Sequence, residues 1–330
     1  MYLARIQNHD GDWNYFIRES YRNDDGIWCS RTLFDLGITP DQYIHYEGSA
    51  GFYFDDAIEQ ALAEKGVNTS QDELEDVLWM FIDPEIRRLI KDFSRSSHSK
   101  FSNKTRLTRK KRKELYGKLH IFDRARSCFL KFGQINMEGL IDKGLACYKV
   151  LLNKSRDEIE QMFSREEARL RPWERRGYLY AVFDIAGYFG QKMTRFIPDA
   201  QPLEDIDRYF LDSVCRLNRD RVFFMGVEHD GDLLHPYLQR YLFMYFDWAY
   251  SQSGPRPDVG KTPVSTDTLM PYLKIMHITS EEYKDMDEEE LSKIFRKLAL
   301  QMHPDKGGGH DAFIRLQEAY QMLLKRKTWV

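Results

Sequence analysis

Apolar residues recur with a period of two at the start of this chain and with a period of three to four through the rest of it. Residues 2–9, 13–22 and 27–35 are rich in aromatic and β-branched side chains. They are separated by Asp10-Gly11-Asp12 and Asn23-Asp24-Asp25-Gly26, both turn signals, so the pattern predicts three strands. In the second run Trp13, Tyr15, Ile17, Glu19 and Tyr21 fall on one side, as in an antiparallel meander with a partly polar face. Three strands alone are marginally stable, and the pattern therefore requires a covering surface.

From about Phe54 the period becomes helical. Residues 55–65 predict a helix ending near Gly66; Thr69 or Ser70 with Glu73 forms a cap for the next, which carries Leu74, Val77, Leu78 and Phe81 before Asp83-Pro84 restarts the chain. Residues 94–102 hold Ser, Arg, His and Lys with little apolar content and predict a linker. Beyond it, Leu119, Phe122, Ala125, Cys128, Phe129 and Phe132 keep helical spacing, and 140–152, 156–170, 173–189, 203–217 and 237–250 predict further helices of a bundle. Tyr178, Tyr180, Phe183, Tyr188, Phe189, Tyr209, Phe210, Phe223 and Phe224 fall in these runs as core packing rather than as a cofactor box. Residues 251–267 contain three prolines and two glycines, which exclude a continuous helix and favour an extended tether. Gly260-Lys261-Thr262 within it lacks the upstream glycine and the preceding strand of a phosphate loop.

The last segment carries the most specific pattern. Leu291, Phe295, Leu298 and Met302 recur at helical spacing while Lys293, Arg296 and Lys297 fall largely on another face. Phe313, Leu316, Tyr320 and Leu323 or Leu324 repeat the stripe, which predicts an antiparallel helical hairpin with His303-Pro304-Asp305 at its tip. Pro304 fixes its own φ and pushes His303 toward an extended conformation, so the first helix stops at about Met302. His303 can donate or accept, Asp305 can accept, and the basic face attracts an acidic partner. A catalytic His/Asp pair is the rival reading, with no nucleophile or pocket beside it.

These residues resemble the J domain of DnaJ-like co-chaperones. That family has a short first helix, a basic second helix, the His-Pro-Asp loop, and a third helix with a Phe, an aliphatic residue and an Ala-Tyr pair. The counterparts here are residues 272–276, Lys293 to Lys297, His303-Pro304-Asp305, and Phe313, Leu316 and Ala319-Tyr320. The resemblance implies docking on the ATPase domain of a DnaK-type chaperone and acceleration of its ATP hydrolysis. Lys293, Arg296 and Lys297 would steer the encounter, His303, Pro304 and Asp305 would form the triggering contact, and the chain itself would be no enzyme. Departures are His277 where the family closes its first helix with Gly, a connection lengthened by residues 280–286, Ser292 at a usually basic position, and a fourth helix largely missing from 325–330.

Composition narrows the rest. The chain has 330 residues with 42% hydrophobic and 14% aromatic content, enough for two or three cored domains and unlike a disordered protein. No apolar run approaches a membrane span, and Arg5, Asn8, His9, Asp10 and Asp12 interrupt any leader-like region, so a cytoplasmic location is expected. Cys29, Cys128, Cys147 and Cys215 form no Cys-x-x-Cys pair, which predicts buried thiols rather than a zinc ribbon or a disulfide framework.

The net charge of −3 hides segregation: residues 1–92 hold 19 acidic against 8 basic side chains, whereas 100–118 hold 9 basic and only Glu114. Arg109, Lys110, Lys111, Arg112 and Lys113 are the strongest block. They form a candidate polyanion-binding surface, a solvated helix face or a counterpart to the acidic first domain. Glu228-His229-Asp230-Gly231-Asp232 with His235 holds residue types that bind a divalent metal or serve acid-base chemistry, but it matches no ligand spacing, and Asp-Gly-Asp before a helix is an ordinary turn and cap.

The expected protein is mainly α, with a small N-terminal β-meander, a helical middle region and a C-terminal J-domain hairpin. Its expected domains are 1–93, 94–250, a linker at 251–266, and 267–330. It would be a co-chaperone without catalytic residues, cofactor or metal, whose body selects a client; the alternative is a nucleic-acid-binding protein that recruits a chaperone.

Overall fold

The computed structural model describes residues 1–7, 12–48, 51–94, 108–190, 193–251, 269–286, 288–301, 315–316, 319–320 and 322–323. The protein is mainly helical, with a small N-terminal antiparallel sheet. It divides into two compact units. The first comprises Met1–Arg124, Gly139–Arg169 and Val222–Val227; the second comprises Ala125–Glu138, Leu170–Arg221 and Glu228–Val330.

In the first unit, β1 (Tyr2–Gln7), β2 (Trp13–Arg22) and β3 (Trp28–Gly37) form an antiparallel sheet in the order β1-β2-β3. Ile17 pairs with Leu3 on one side and Phe34 on the other, and register irregularities flank it at Tyr15/Phe16 and Ile17/Arg18. A second hairpin, β4 (Ile44–Glu47) with β5 (Gly51–Phe54), follows a 3-10 turn over Pro40–Tyr43. Sequence patterning did not predict it, because four-residue strands are too short to show alternation. Then come α1 (Asp56–Glu64), α2 (Gln71–Leu78), α3 (Pro84–Ser94) and α4 (Arg109–Tyr116). As expected, Ser70 caps α2 by accepting from the Glu73 amide.

One face of the sheet closes an apolar core made of Leu3, Ile17, Leu33, Leu36 and residues of α1 and α2, among them Ile58, Leu62, Leu74 and Leu78. The other face is polar and meets α6 (Arg156–Glu167). The Tyr2 hydroxyl donates to Asp157 at 2.5 Å, Arg18 pairs with the same carboxylate at 3.1 Å, and the Ser20 hydroxyl donates to Glu158 at 2.6 Å. Beside them Arg156 makes a two-pronged pair with Asp123, both bonds 2.8 Å, contacts Glu160 at 3.2 Å, and lies 4.1 Å over the Phe223 ring. Burial and the Asp157 carboxylate both push the Tyr2 phenol well above its ordinary pKa.

The division between units falls within α5 (Ile121–Phe132). The second unit continues with α7 (Pro172–Val182), α8 (Leu203–Asn218), α9 (Pro236–Ser251), α10 (Met270–Ile275), α11 (Ser280–Asp285) and α12 (Glu288–Gln301). Two expected helices are corrected. Residues 140–152 form turns and a 3-10 segment, Ala146–Leu151, rather than one helix. The run 173–189 is broken at Asp184, whose left-handed φ of 50° ends α7 and leads into a 3-10 segment, Ile185–Phe189. Aromatic packing holds this unit: Phe183 meets Phe210 and Tyr241 edge-on at 5.0 and 5.3 Å, and Phe210 stacks on Tyr245 at 4.1 Å. The fully buried Arg126 donates to the Tyr241 hydroxyl at 2.8 Å.

No cysteine is in a disulfide; Cys128 is buried, while Cys29, Cys147 and Cys215 are partly exposed, which corrects the expectation that all four are buried. Among the described residues no helix is long and apolar enough to cross a membrane.

Candidate functional site

The C-terminal segment is built from short, individually closed helices. α10 ends on a paired hydrogen-bond lock: the Ile278 amide reaches back to the Leu273 carbonyl at 3.0 Å and the His277 amide to the Lys274 carbonyl at 3.3 Å. That geometry needs a left-handed residue between them, and His277 supplies it at φ 55°. Gly66 does the same after α1, with the Val67 amide on the Leu62 carbonyl at 2.9 Å. The departure at His277 therefore preserves the backbone conformation that a glycine favours.

Residues 280–286, expected as a longer connection, instead contain α11. Thr279 and Glu282 form a reciprocal cap, in which the Thr279 side chain accepts from the Glu282 amide at 3.2 Å and Glu282 accepts from the Thr279 amide at 2.8 Å. The Thr279 amide, and then its hydroxyl, holds the Glu282 carboxyl below its ordinary range. From α11 the buried Tyr283 donates its hydroxyl to the Leu323 carbonyl at 2.5 Å, and burial lifts its pKa to about 12. Sequence reasoning missed this tie, because a lone Tyr in a polar run carries no signal of it.

α12 buries the predicted stripe Leu291, Phe295 and Leu298. Leu316, Ala319 and Leu323, all in helical conformation, are buried too, and Tyr320 stacks on Phe295. Phe246 of α9 meets the same Phe295 ring edge-on at 5.4 Å. On α12 Lys293 and Lys297 are exposed. Arg296 lies on the same helix, with its side chain outside the described part. His303, Pro304 and Asp305 lie outside the described residues, as do Met302, Phe313, Leu324 and the linker 252–268.

The basic block forms α4, capped by the Thr108 side chain, which accepts from the Lys111 amide at 3.3 Å. Lys110, Lys111 and Lys113 are exposed and Arg112 is half-buried; the side chain of Arg109 is outside the described part. Among the described residues these three lysines have no ion-pair partner, so the described acidic side chains of residues 1–92 do not neutralise them by direct pairing.

The 228–235 segment is a tied turn. Asn218, fully buried at the end of α8, donates to the carbonyls of Gly231 at 3.1 Å and Leu233 at 3.0 Å and accepts from the His235 amide at 3.0 Å. The His229 ring bonds the Asn218 carbonyl at 2.8 Å, the His235 ring accepts from the Tyr237 amide at 3.1 Å, and Asp230 accepts from the Asp232 amide at 3.0 Å. The imidazoles and Asp230 thus serve the fold, and no metal-holding group of three such side chains occurs among the described residues.

Comparison with known proteins bears on the C-terminal segment. The family model of the DnaJ domain matches residues 272–328, and the chain contains a divergent DnaJ domain there. Chaperone protein dnaJ A6 of Oryza sativa subsp. japonica is 38% identical over 64 residues, covering 19% of this chain and 14% of that protein. DnaJ protein homolog ANJ1 of Atriplex nummularia is 36% identical over 64 residues, with the same coverage. The chain thus spans 14% of the length of these curated relatives. No solved structure matches it. A DnaJ domain is a co-chaperone module and is not itself catalytic.

Proposed function

We propose that a chain carrying a DnaJ domain near its C-terminus acts as a co-chaperone: the domain docks on a DnaK-type chaperone and stimulates its ATP hydrolysis, while the remaining residues select the client or the site of action. The observation that carries the reading is the division of α12, which buries Leu291, Phe295 and Leu298 while leaving Lys293 and Lys297 exposed. An open cationic face next to a His-Pro-Asp sequence suits an acidic partner surface. In this reading Lys293, Arg296 and Lys297 orient the encounter, and His303, Pro304 and Asp305 make the contact that triggers hydrolysis. Residues 1–93 and 94–250 are the selecting body, 251–266 the linker and 267–330 the J domain.

Steady-state ATP hydrolysis by a DnaK-type chaperone, with the full chain and with His303→Gln, tests this. The expected result is stimulation by the first and none by the second; equal rates at saturating protein overturn it.

A second reading has its own observation. The exposed lysines of α4, which have no ion-pair partner among the described residues, suit a polyanion, so the body would bind nucleic acid and the J domain would bring a chaperone to it.

A further inference from the structure

The lysines of α4 share their surface with a second chain segment. An ideal Cβ at Gly144 would lie 2.9 Å from the backbone nitrogen of Lys113 and 3.0 Å from its Cα. The loop backbone therefore rests directly on the helix backbone, a seat that a side chain would fill and that the φ of 63° also reserves for glycine. Two further contacts fix the loop. Tyr116 of α4 meets Tyr148 edge-on at 6.0 Å, and the Tyr148 hydroxyl donates to the Ile141 carbonyl at 2.9 Å. This seating brings Lys143, beside Gly144, to the part of α4 that carries Lys113, and Lys118 follows just beyond the helix end.

The charges at this surface decide what it can bind. Lys110, Lys111, Lys113, Lys118 and Lys143 are all exposed, and none has an ion-pair partner among the described residues. Asp142, the carboxylate beside Lys143, is engaged by Arg124 at 2.7 Å. On α4 itself Glu114 is the acidic residue. Among the described residues the rings nearest this surface, Tyr116 and Tyr148, are buried against each other and offer no stacking platform. Binding to single strands relies on bases stacking on exposed aromatic rings, whereas contacts to phosphates position a duplex without reading its sequence.

We infer that α4 and the loop seated on it by Gly144 form one two-segment site for the phosphate backbone of duplex nucleic acid, with Lys143 and Lys118 as contacts in addition to the α4 lysines. The inference rests on the second reading above and adds to it the distant segment and the class of ligand. Exposed lysines releasing counterions make such binding strongly salt-dependent, with a slope of log affinity on log salt of about −0.9 per phosphate neutralised.

The test is an anisotropy titration of the full chain against a short duplex of arbitrary sequence at several salt concentrations, repeated with a single strand and with poly-glutamate. Lys143→Ala and Lys118→Ala are each expected to flatten the salt slope by about one contact, and Lys110→Ala/Lys111→Ala/Lys113→Ala to flatten it by about three. These are exposed side chains, and an unchanged circular dichroism spectrum accompanies each variant. If the α4 triple variant flattens the slope while Lys143→Ala and Lys118→Ala leave it unaltered, the two-segment site is overturned and the simpler reading stands. Absence of duplex binding at low salt, or binding to poly-glutamate alone, overturns both. Preference for the single strand over the duplex overturns the assigned ligand class.

Discussion

Phe295 and Tyr320 stack nearly face to face, with ring centroids 4.3 Å apart and planes 15° from parallel. This pair joins α12 to the helical residues that follow the His-Pro-Asp motif in sequence, and Phe246 closes on its outer side at 82°. Removing the central ring strips both contacts at once. Phe295→Ala is expected to cost about 3–5 kcal/mol locally, read as lost hydrogen-exchange protection of α11 and α12 amides. Unchanged protection would show that the stack does not hold the segment.

The partnership of Phe246 and Phe295 is testable separately. A double-mutant cycle with Phe246→Leu and Phe295→Leu should give a coupling of about 0.5–1.5 kcal/mol, the range for edge-on aromatic pairs. Strict additivity would mean that the two rings stabilise their surroundings independently.

Tyr283 gives the segment an alkaline limit. Its folded pKa, raised by burial from 10.0 to about 12, means that its contribution is fully present below pH 10 and is lost as pH rises toward 12. Tyr283→Phe should weaken the segment by about 1 kcal/mol at neutral pH, through loss of the bond to the Leu323 carbonyl, and should reduce the alkaline sensitivity of exchange-monitored opening. An identical alkaline profile in the variant would assign that sensitivity to other groups.

His277 sits at φ 55° with its side chain exposed, so no buried contact offsets its backbone strain. His277→Gly is expected to stabilise α10 and what packs on it by up to about 1 kcal/mol, after allowing for the entropy that glycine adds to the unfolded chain. Thermal unfolding followed by circular dichroism checks the sign; a lower midpoint would mean that the imidazole makes a compensating interaction.

Arg156 and Asp123 are both almost wholly buried, so removing either breaks a two-pronged ion pair that has no water to replace it. Asp123→Ala is expected to cost about 3–5 kcal/mol in the first unit, whereas replacing both residues by apolar side chains of similar volume should cost much less. Chemical denaturation of the single and double variants separates the two cases.

Where local chemistry decides structure, the chain was legible. Ser70 with Glu73, the stripe in 203–217, and Leu291, Phe295 and Leu298 each declare a cap or a buried face within a few residues. The J-like segment was legible for the same reason, with its motif and flanking spacing close together. What escaped depends on distant partners. Arg156 and Glu160 look like an ordinary exposed i,i+4 pair until Asp123 and Phe223 close over them. Asp184 is helix-compatible in isolation, yet breaks a run of favourable spacing, and α11 hides in a polar stretch whose signal was the Thr279–Glu282 cap. Lys143 carries no mark of its proximity to α4, because only the seat at Gly144 creates it.

The contact between Phe246 and Phe295 forms between two segments of one chain, at a local concentration set by the length that joins them. Seventeen residues, 252–268, connect α9 to the start of the C-terminal segment, so the two rings meet within one molecule. The three prolines and two glycines of this connection are a tether's composition, and a tether of about this length confines one end near the other at an effective concentration on the order of 1 mM. An interface worth only about 4 kcal/mol as a bimolecular association is then half closed, independent of protein dilution. A chaperone that favours a detached J domain would compete against that internal concentration, whereas one that accepts the docked geometry would meet no such barrier.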